Sequence, residues 1–145
     1  MCYPDELLRG IPNDTFVEDG FPTSVLFHFE KRDEQPERVD GCHEQSINWR
    51  DDDGALTLLF AQRKPDSSIQ FKAGAAVLSR CELDRLISRP VLKQRLSYER
   101  SETADNRYHG NLLLKKDVSK SAMKMIAASI AAWCVSEIIP NQLAQ

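Results

Sequence analysis

Apolar residues take every second position in several stretches of the first half of the chain, a spacing typical of strands with one buried face. Between residues 24 and 30 these positions hold Val25, Phe27 and Phe29. Turn-forming residues at 51–54 and 63–68 separate three further stretches, which predicts an antiparallel meander. Its strands are expected at residues 45–50, 55–62 and 69–77, and the middle one is apolar on both sides, like a central strand.

A helical period replaces the period of two at Ser79. Ser79 and Glu82 have the spacing of a capping box, in which a hydroxyl and a carboxylate each accept a hydrogen bond from the other residue's backbone N–H. Leu83 and Leu86 follow on one helix face, and Pro90 predicts the end of the helix because it disfavours helical geometry in the preceding residue.

The stretch 91–101 fits two interpretations. Leu92 and Leu96 among good helix formers, with Pro90 at the first position, indicate a short second helix. The even spacing of Leu92, Leu96 and Tyr98 indicates a strand almost equally well. The stretch 108–114, which becomes more apolar toward its end, predicts another strand.

A long alanine-rich helix is expected at residues 119–139. Its apolar stripe includes Met123, Ile126, Ile130 and Cys134, and alanines leave little polar surface elsewhere. A helix that is apolar nearly all round is buried on more than one side, either against the sheet or against a second copy of the protein. This helix therefore also suggests a homodimer.

Together these patterns predict an α+β fold: an antiparallel β-meander sheet of four to five strands, packed against the C-terminal helix and one or two shorter helices. The length of 145 residues suits a single domain covering residues 1–145. Prolines and glycines predict an irregular N-terminal segment over residues 1–22. The charged run over residues 30–41 predicts an exposed loop.

Cysteine usage and the apolar runs indicate a cytoplasmic protein. The 4 cysteines are widely separated, unlike a disulfide framework, and the N-terminus lacks the pattern of a secretion signal. The most apolar run covers only residues 125–136, whereas a membrane-spanning helix needs about 20 residues.

Charge is unevenly distributed along the chain. Residues 1–66 hold 15 acids and 7 bases, and residues 67–145 hold 7 acids and 12 bases. The basic stretch 80–124 raises nucleic-acid binding as one alternative. Solvated helix faces explain the same residues, and the overall net charge of −3 disfavours a dedicated nucleic-acid binder.

The segment 105–111 is the densest collection of chemically useful side chains. In a strand, Arg107, His109 and Asn111 point to one face and Tyr108 to the other. His109 then serves as a general base, Arg107 stabilises an anion and Asn111 orients the ring, an arrangement suited to a cofactor-free hydrolase. The competing interpretation is a hydrogen-bonded histidine at the polar entrance of a strand, which is the more common situation.

Other familiar sites find no support in the spacing. Cys42 and His43 lack a second ligand pair, and His28, His43 and His109 come from unrelated positions, so neither a metal nor a cofactor is expected. The acids at 51–53 do not fit a calcium loop, and no phosphate-binding glycine loop or nucleophile elbow is present.

The preferred prediction is a small binding domain with a protein partner. The hydrolase at His109 and nucleic-acid binding remain the alternatives.

Overall fold

The computed structural model describes residues 3–29 and 42–144, which build a six-stranded antiparallel sheet and three α-helices. The strands are β1 (Glu6–Ile11), β2 (Val17–Glu18), β3 (Phe21–Pro22), β4 (Cys42–Trp49), β5 (Gly74–Ser79), β6 (Leu96–Arg100), β7 (His109–Lys115) and β8 (Val135–Ile139), and the α-helices are α1 (Gly54–Ala61), α2 (Arg80–Ile87) and α3 (Lys120–Ser129). The expected α+β class with an antiparallel sheet is confirmed, but the sheet has six strands instead of four to five. The charged loop predicted at 30–41 lies outside the described residues.

The sheet has the order β6-β7-β4-β1-β5-β8, and a separate hairpin joins β2 to β3. The segment 1–22, expected to be irregular, thus contains β1, one of the two central strands. Both Leu7 and Leu8 are completely buried, on opposite faces of the sheet. A strand covered on both faces shows no alternation of apolar and polar residues, which explains why the pattern failed to predict it.

The main core lies on one face of the sheet, beneath α2, α3 and a 3-10 turn at Ser24–Phe27. The strand predicted at 24–30 is therefore wrong for residues 24–29: the first four form the 3-10 turn, and His28 and Phe29 belong to no strand. Leu26 and Phe27 are both buried, whereas Val25 is 51% exposed, so the apparent alternation did not mark a buried face.

The opposite face is partly covered by α1, where a central strand was predicted at 55–62. That strand is wrong, and so is the three-stranded meander, because β1 lies between β4 and β5. Ala55 and Leu59 bury one side of α1 with a helical spacing of four. An apolar run of eight residues fits a strand or a helix, and in this case the strong helix formers decided.

The helix expected at 119–139 ends early. Its first part forms α3, a π-helical segment follows at Ile130–Cys134, and the last five residues form the edge strand β8. Val135, Ile138 and Ile139 are β-branched, and they favour the strand once β5 offers an unpaired edge.

Helix α2 agrees with the helix predicted to begin at Ser79 and to end before Pro90. The Ser79 hydroxyl accepts a hydrogen bond from the Glu82 N–H at 3.3 Å at the start of α2. The ambiguous stretch 91–101 is a turn that leads into β6. None of the described helices has the length and apolarity needed to cross a membrane.

Candidate functional site

The polar segment 105–111 divides into two parts in the structure. Arg107 and Tyr108 lie in the turn before β7, and His109 and Asn111 lie on β7 itself. The predicted quartet is therefore contiguous in space, but its members turn toward different neighbours. Four concave surfaces on the described part of the chain are all lined by other residues.

Arg107 and Tyr108 bind the turn that precedes α1. The Tyr108 hydroxyl donates to the Asp52 carboxylate at 2.7 Å, and the Arg107 guanidinium donates to the same carboxylate at 2.9 Å. The guanidinium carbon also lies 4.5 Å from the centroid of the Tyr108 ring. The hydrogen bond from Tyr108, with smaller contributions from the Gly54 N–H and Arg107, lowers the pKa of Asp52. The arginine expected to stabilise an anion is thus already paired with one.

A second arginine holds the same turn. Arg100 at the end of β6 forms a two-pronged ion pair with Asp51 and donates to the Arg107 carbonyl at 3.0 Å. The hydrogen bond to Asp51 raises the pKa of Arg100, so the guanidinium stays charged. The acidic turn at residues 51–54 was expected to join two strands of the meander. It instead connects β4 to α1, and ion pairs from Arg100 and Arg107 hold it in place.

His109 is held by a backbone carbonyl. Its Nδ1 lies 2.9 Å from the Ser101 carbonyl oxygen, which requires a proton on Nδ1, and its Nε2 lies 3.5 Å from the Ser46 hydroxyl. Asn111 is only 4% exposed and lies between Glu99 and Ser46 in the strand register. His109 and Asn111 lie two positions apart on β7 and so share one face, whereas Arg107 lies outside the strand.

Gly110, the second residue of β7, lies tightly packed against its neighbours. A Cβ atom at this position would collide with the Trp49 indole and the Glu99 carbonyl oxygen. The Trp49 indole nitrogen itself donates to that carbonyl at 3.2 Å. The glycine therefore makes room for a core tryptophan and not for a ligand.

The three histidines do not meet. His28 and His43 line one concave surface together, and His109 lies elsewhere on the sheet. Across residues 3–29 and 42–144, no group of three histidine, cysteine or acidic side chains is placed to hold a metal ion.

A different feature stands out on the surface between α2, the turn after it and α3. An apolar groove of about 240 Å³ runs there. Its floor and walls are formed by seven apolar side chains: Leu86, Val91, Leu92, Val118, Ala122, Met125 and Ile126. We call this surface the α3 groove. Val91 and Met125 are 74% and 71% exposed, and because both line the same groove they extend its apolar surface to the solvent.

Arginines form the rim of the α3 groove. Arg89 and Arg95 line it, and Lys93 lies beside Arg95 in an adjoining hollow. Within the described part of the chain, none of these three cations forms an ion pair. Arg89 instead lies over the ring of Trp133, at 5.5 Å from its centroid, and that ring is 62% exposed.

The thiol of Cys134 in the main core is unreactive. Cys134 is buried next to Trp133 in the chain, and burial raises the pKa of its thiol to about 12. A thiol with such a pKa stays protonated at neutral pH and is a poor nucleophile. The α3 groove combines an apolar floor with a cationic rim, an arrangement suited to binding.

One signal in the sequence could have indicated this surface: large apolar residues that lie outside the apolar stripe of the C-terminal segment. The stripe of the C-terminal segment runs through Met123, Ile126 and Ile130, and it contacts the core. Met125 and Trp133 are eight positions apart and fall outside that stripe. Large apolar residues on the outer side of an amphipathic helix are candidates for an interface.

No family model, curated protein or solved structure matches this chain. The function therefore has to be judged from the geometry of its own surfaces.

Proposed function

We propose that this protein is a binding domain, and that its α3 groove takes up an acidic, amphipathic segment of a partner protein. One observation carries the proposal: an exposed apolar groove is bordered by cations that have no acidic partner among the described residues. This combination supports a ligand with apolar anchors and flanking carboxylates.

The apolar floor would supply most of the affinity. Burying one side chain such as Val91 or Met125 contributes about 1.5–3 kcal/mol. Methionine adapts to differently shaped partners, and tryptophan and arginine are the residues that most often dominate interfaces. Trp133 and Arg89 stack on each other next to the groove and belong to the residue types that most often act as such anchors.

The cationic rim would select the partner. Arg89, Lys93 and Arg95 attract a negatively charged segment and repel a basic one, which favours encounter with acidic sequences. The cationic rim also disfavours the homodimer that the sequence suggested. A two-fold symmetric contact through this surface would bring the cations of both copies into one interface, where they repel each other. An acidic partner is therefore preferred to a second copy of the chain.

The two alternative functions receive less support. Nucleic acid would use the same cations but would leave the apolar floor without a partner, and the chain has a net charge of −3. A hydrolase at His109 would draw on the contact with Ser46 at 3.5 Å. Its proposed anion-stabilising residue, Arg107, is bound to Asp52.

The test is a selection from a random peptide library on the intact protein, followed by affinity measurements by fluorescence polarisation. We expect selected peptides to combine aspartate or glutamate with large apolar residues. A double substitution of Arg89→Glu and Arg95→Glu should lower their affinity by more than about ten-fold, equivalent to about 1.4 kcal/mol. Met125→Asp should have a similar effect because it places a charge in the apolar floor.

Matched controls separate the groove from general electrostatics. Arg63→Glu with Lys64→Glu changes the net charge equally at two positions outside the groove. Phe21→Asp places a charge at a residue that is 67% exposed, close to the value for Met125. Equal losses in test and control variants, or selection of basic peptides, would contradict the proposal.

A further inference from the structure

A second concave surface adjoins the α3 groove at the turn between α2 and β6. It has a volume of about 460 Å³, and two of its lining residues, Val91 and Arg95, also line the groove. Its charged lining residues are three bases and one acid: Lys93, Arg95, Lys115 and Asp117. We call this surface the cationic hollow. A segment bound in the α3 groove can continue into the hollow past Arg95.

The three cations of the hollow have no acidic partner in the described part of the chain. Lys93, Arg95 and Lys115 form no ion pair there, and neither does Asp117. All four side chains are exposed. Three cations and one carboxylate leave the hollow with a surplus of two positive charges. This surplus is available to an anionic group on the segment that occupies the adjoining groove.

Backbone hydrogen bonds fix the positions from which the three cations project. In the turn, the Lys93 N–H donates to the Arg89 carbonyl at 2.9 Å. The Arg95 N–H donates to the Leu92 carbonyl at the same distance. The Lys115 N–H donates to the Arg95 carbonyl at 2.9 Å and so joins the end of β7 to this turn. Because the backbone is held in place before binding, a ligand has to order only the side chains.

The charge of the hollow indicates which anionic group fits it best. A carboxylate supplies one negative charge, whereas a phosphorylated serine carries about −1.5 to −2 at neutral pH. Its three phosphoryl oxygens accept strong hydrogen bonds, so one phosphate can bind a guanidinium and two ammonium groups together. A phosphate therefore matches the surplus charge of the hollow better than an aspartate or a glutamate does.

We propose that the segment bound by the α3 groove is phosphorylated, and that its phosphorylated residue occupies the cationic hollow. This inference rests on the function proposed above and adds to it the group that controls the affinity. The hollow and the groove share only Val91 and Arg95 among their lining residues. The apolar anchors of the segment therefore lie on one side of the phosphorylated residue, and the segment is not apolar on both sides of it.

Three degenerate peptide libraries on the intact protein test this inference. The libraries are identical except for the fixed central residue, which is phosphoserine, serine or glutamate. We expect the phosphoserine library to be retained at least about ten-fold more strongly than the other two. Large apolar residues should be enriched on one side of the phosphoserine.

The outcomes of this selection separate the two proposals. Equal retention of the serine and phosphoserine libraries, with apolar and acidic residues enriched in both, would overturn the phosphate inference and leave the α3 groove as a binding site. Retention of none of the libraries would overturn both proposals. Enrichment of apolar residues on both sides of the phosphoserine would contradict the position of the phosphate beside the groove.

Substitutions locate the phosphate by the ratio of the affinities of a selected phosphoserine peptide and its serine counterpart. Lys93→Gln with Lys115→Gln should lower this ratio from about ten-fold or more to below about two-fold. Lys64→Gln with Lys72→Gln, an equal change of charge outside the hollow, should leave it unchanged. Met125→Asp should weaken both peptides and preserve the ratio, because it changes the groove alone. An equal fall of the ratio in both lysine variants would contradict the site.

A charge-retaining variant and a nucleic-acid probe complete the test. Lys93→Arg with Lys115→Arg should keep the ratio, and urea unfolding checks that every variant folds. Nucleic acid is the competing ligand for these cations, since its phosphates need no apolar floor. A fluorescent single-stranded oligonucleotide should bind more weakly than the phosphoserine peptide at the same ionic strength. Tighter binding of the oligonucleotide, lost in the Lys93→Gln and Lys115→Gln variant, would assign the hollow to nucleic acid and overturn the inference.

Discussion

The polar segment 105–111 and the α3 groove differ in how their side chains are used. In the segment, Arg107 and Tyr108 bind Asp52, His109 binds a backbone carbonyl, and Asn111 is buried between two strands. In the groove, cations and large apolar residues are exposed and have few partners within the described chain. The segment is compact in sequence, whereas the groove is assembled from residues 86–129.

This difference shows that a high local density of reactive residue types is a poor guide to a site. A charged or polar group near a core is stable only when it is paired, so dense polar segments are often part of the internal hydrogen-bond network. Groups kept for a ligand are those that the fold leaves unpaired and exposed. Single substitutions in the two regions can establish whether they divide into structural and binding roles.

The largest effect is expected for Gly110→Ala. The added methyl group would collide with Trp49 and with the backbone of β6, neither of which can move without disturbing the sheet. We expect a loss of about 3 kcal/mol in the free energy of unfolding, measured by urea denaturation. An unchanged midpoint would mean that Gly110 has room around it, as a ligand-binding position would.

A smaller loss is expected for His109→Ala. The substitution removes the hydrogen bond to the Ser101 carbonyl, and we expect the free energy of unfolding to fall by about 1 kcal/mol at about pH 7.5. Ser46→Ala, which removes only the longer contact at 3.5 Å, is the control and should change little. If His109→Ala cost no stability, the histidine would be kept for another purpose and the hydrolase would regain support.

Asp52→Asn should have a still smaller, pH-dependent effect. The pKa of Asp52 is lowered in the folded state, so its contribution to stability is present above its ordinary value of 3.8 and is lost as pH falls through the folded value. We expect the variant to be less stable than the wild type at neutral pH and the difference to shrink below about pH 4. A difference independent of pH in urea unfolding would contradict this assignment.

The smallest effect on stability is expected for Trp133→Ala. The ring is 62% exposed and has a stacking contact with Arg89, so the loss should not exceed about 0.5 kcal/mol in urea unfolding. Binding of the selected peptides should nevertheless fall by about ten-fold or more. A large loss of stability without an effect on binding would place Trp133 with the structural residues and not with the groove.

Local patterns predicted the elements whose signals are unambiguous. The cap formed by Ser79 and the strand near 108–114 were confirmed. A hydroxyl followed three residues later by a glutamate is a specific signal for a helix start. The errors at β1, α1 and β8 share a different cause. Leu7 and Leu8 are buried on both faces, and the runs at Gly54–Ala61 and Val135–Ile139 fit either a helix or a strand.

The sequence indicated some residues of the α3 groove but not that they come together on one surface. The basic character of residues 80–124 was visible in the sequence, including Arg89, Lys93 and Arg95. The exposure of Met125 and Trp133 was not, because the helix at 119–139 was expected to be buried on more than one side. That expectation failed when its last part became an edge strand and α3 covered the sheet with one face only.

By itself, the sequence determined the α+β class, the position of α2 with its cap and the strand at β7, because each is indicated by a pattern within a short stretch of the chain. Only the tertiary structure decided which apolar runs became strands, since an available sheet edge outweighs local preference. It also decided which charged groups are paired. Arg107 meets Asp52 across 55 positions of the chain, whereas Arg89 and Arg95 meet no acid among the described residues. Pairing depends on distance in space, which the order of residues does not express.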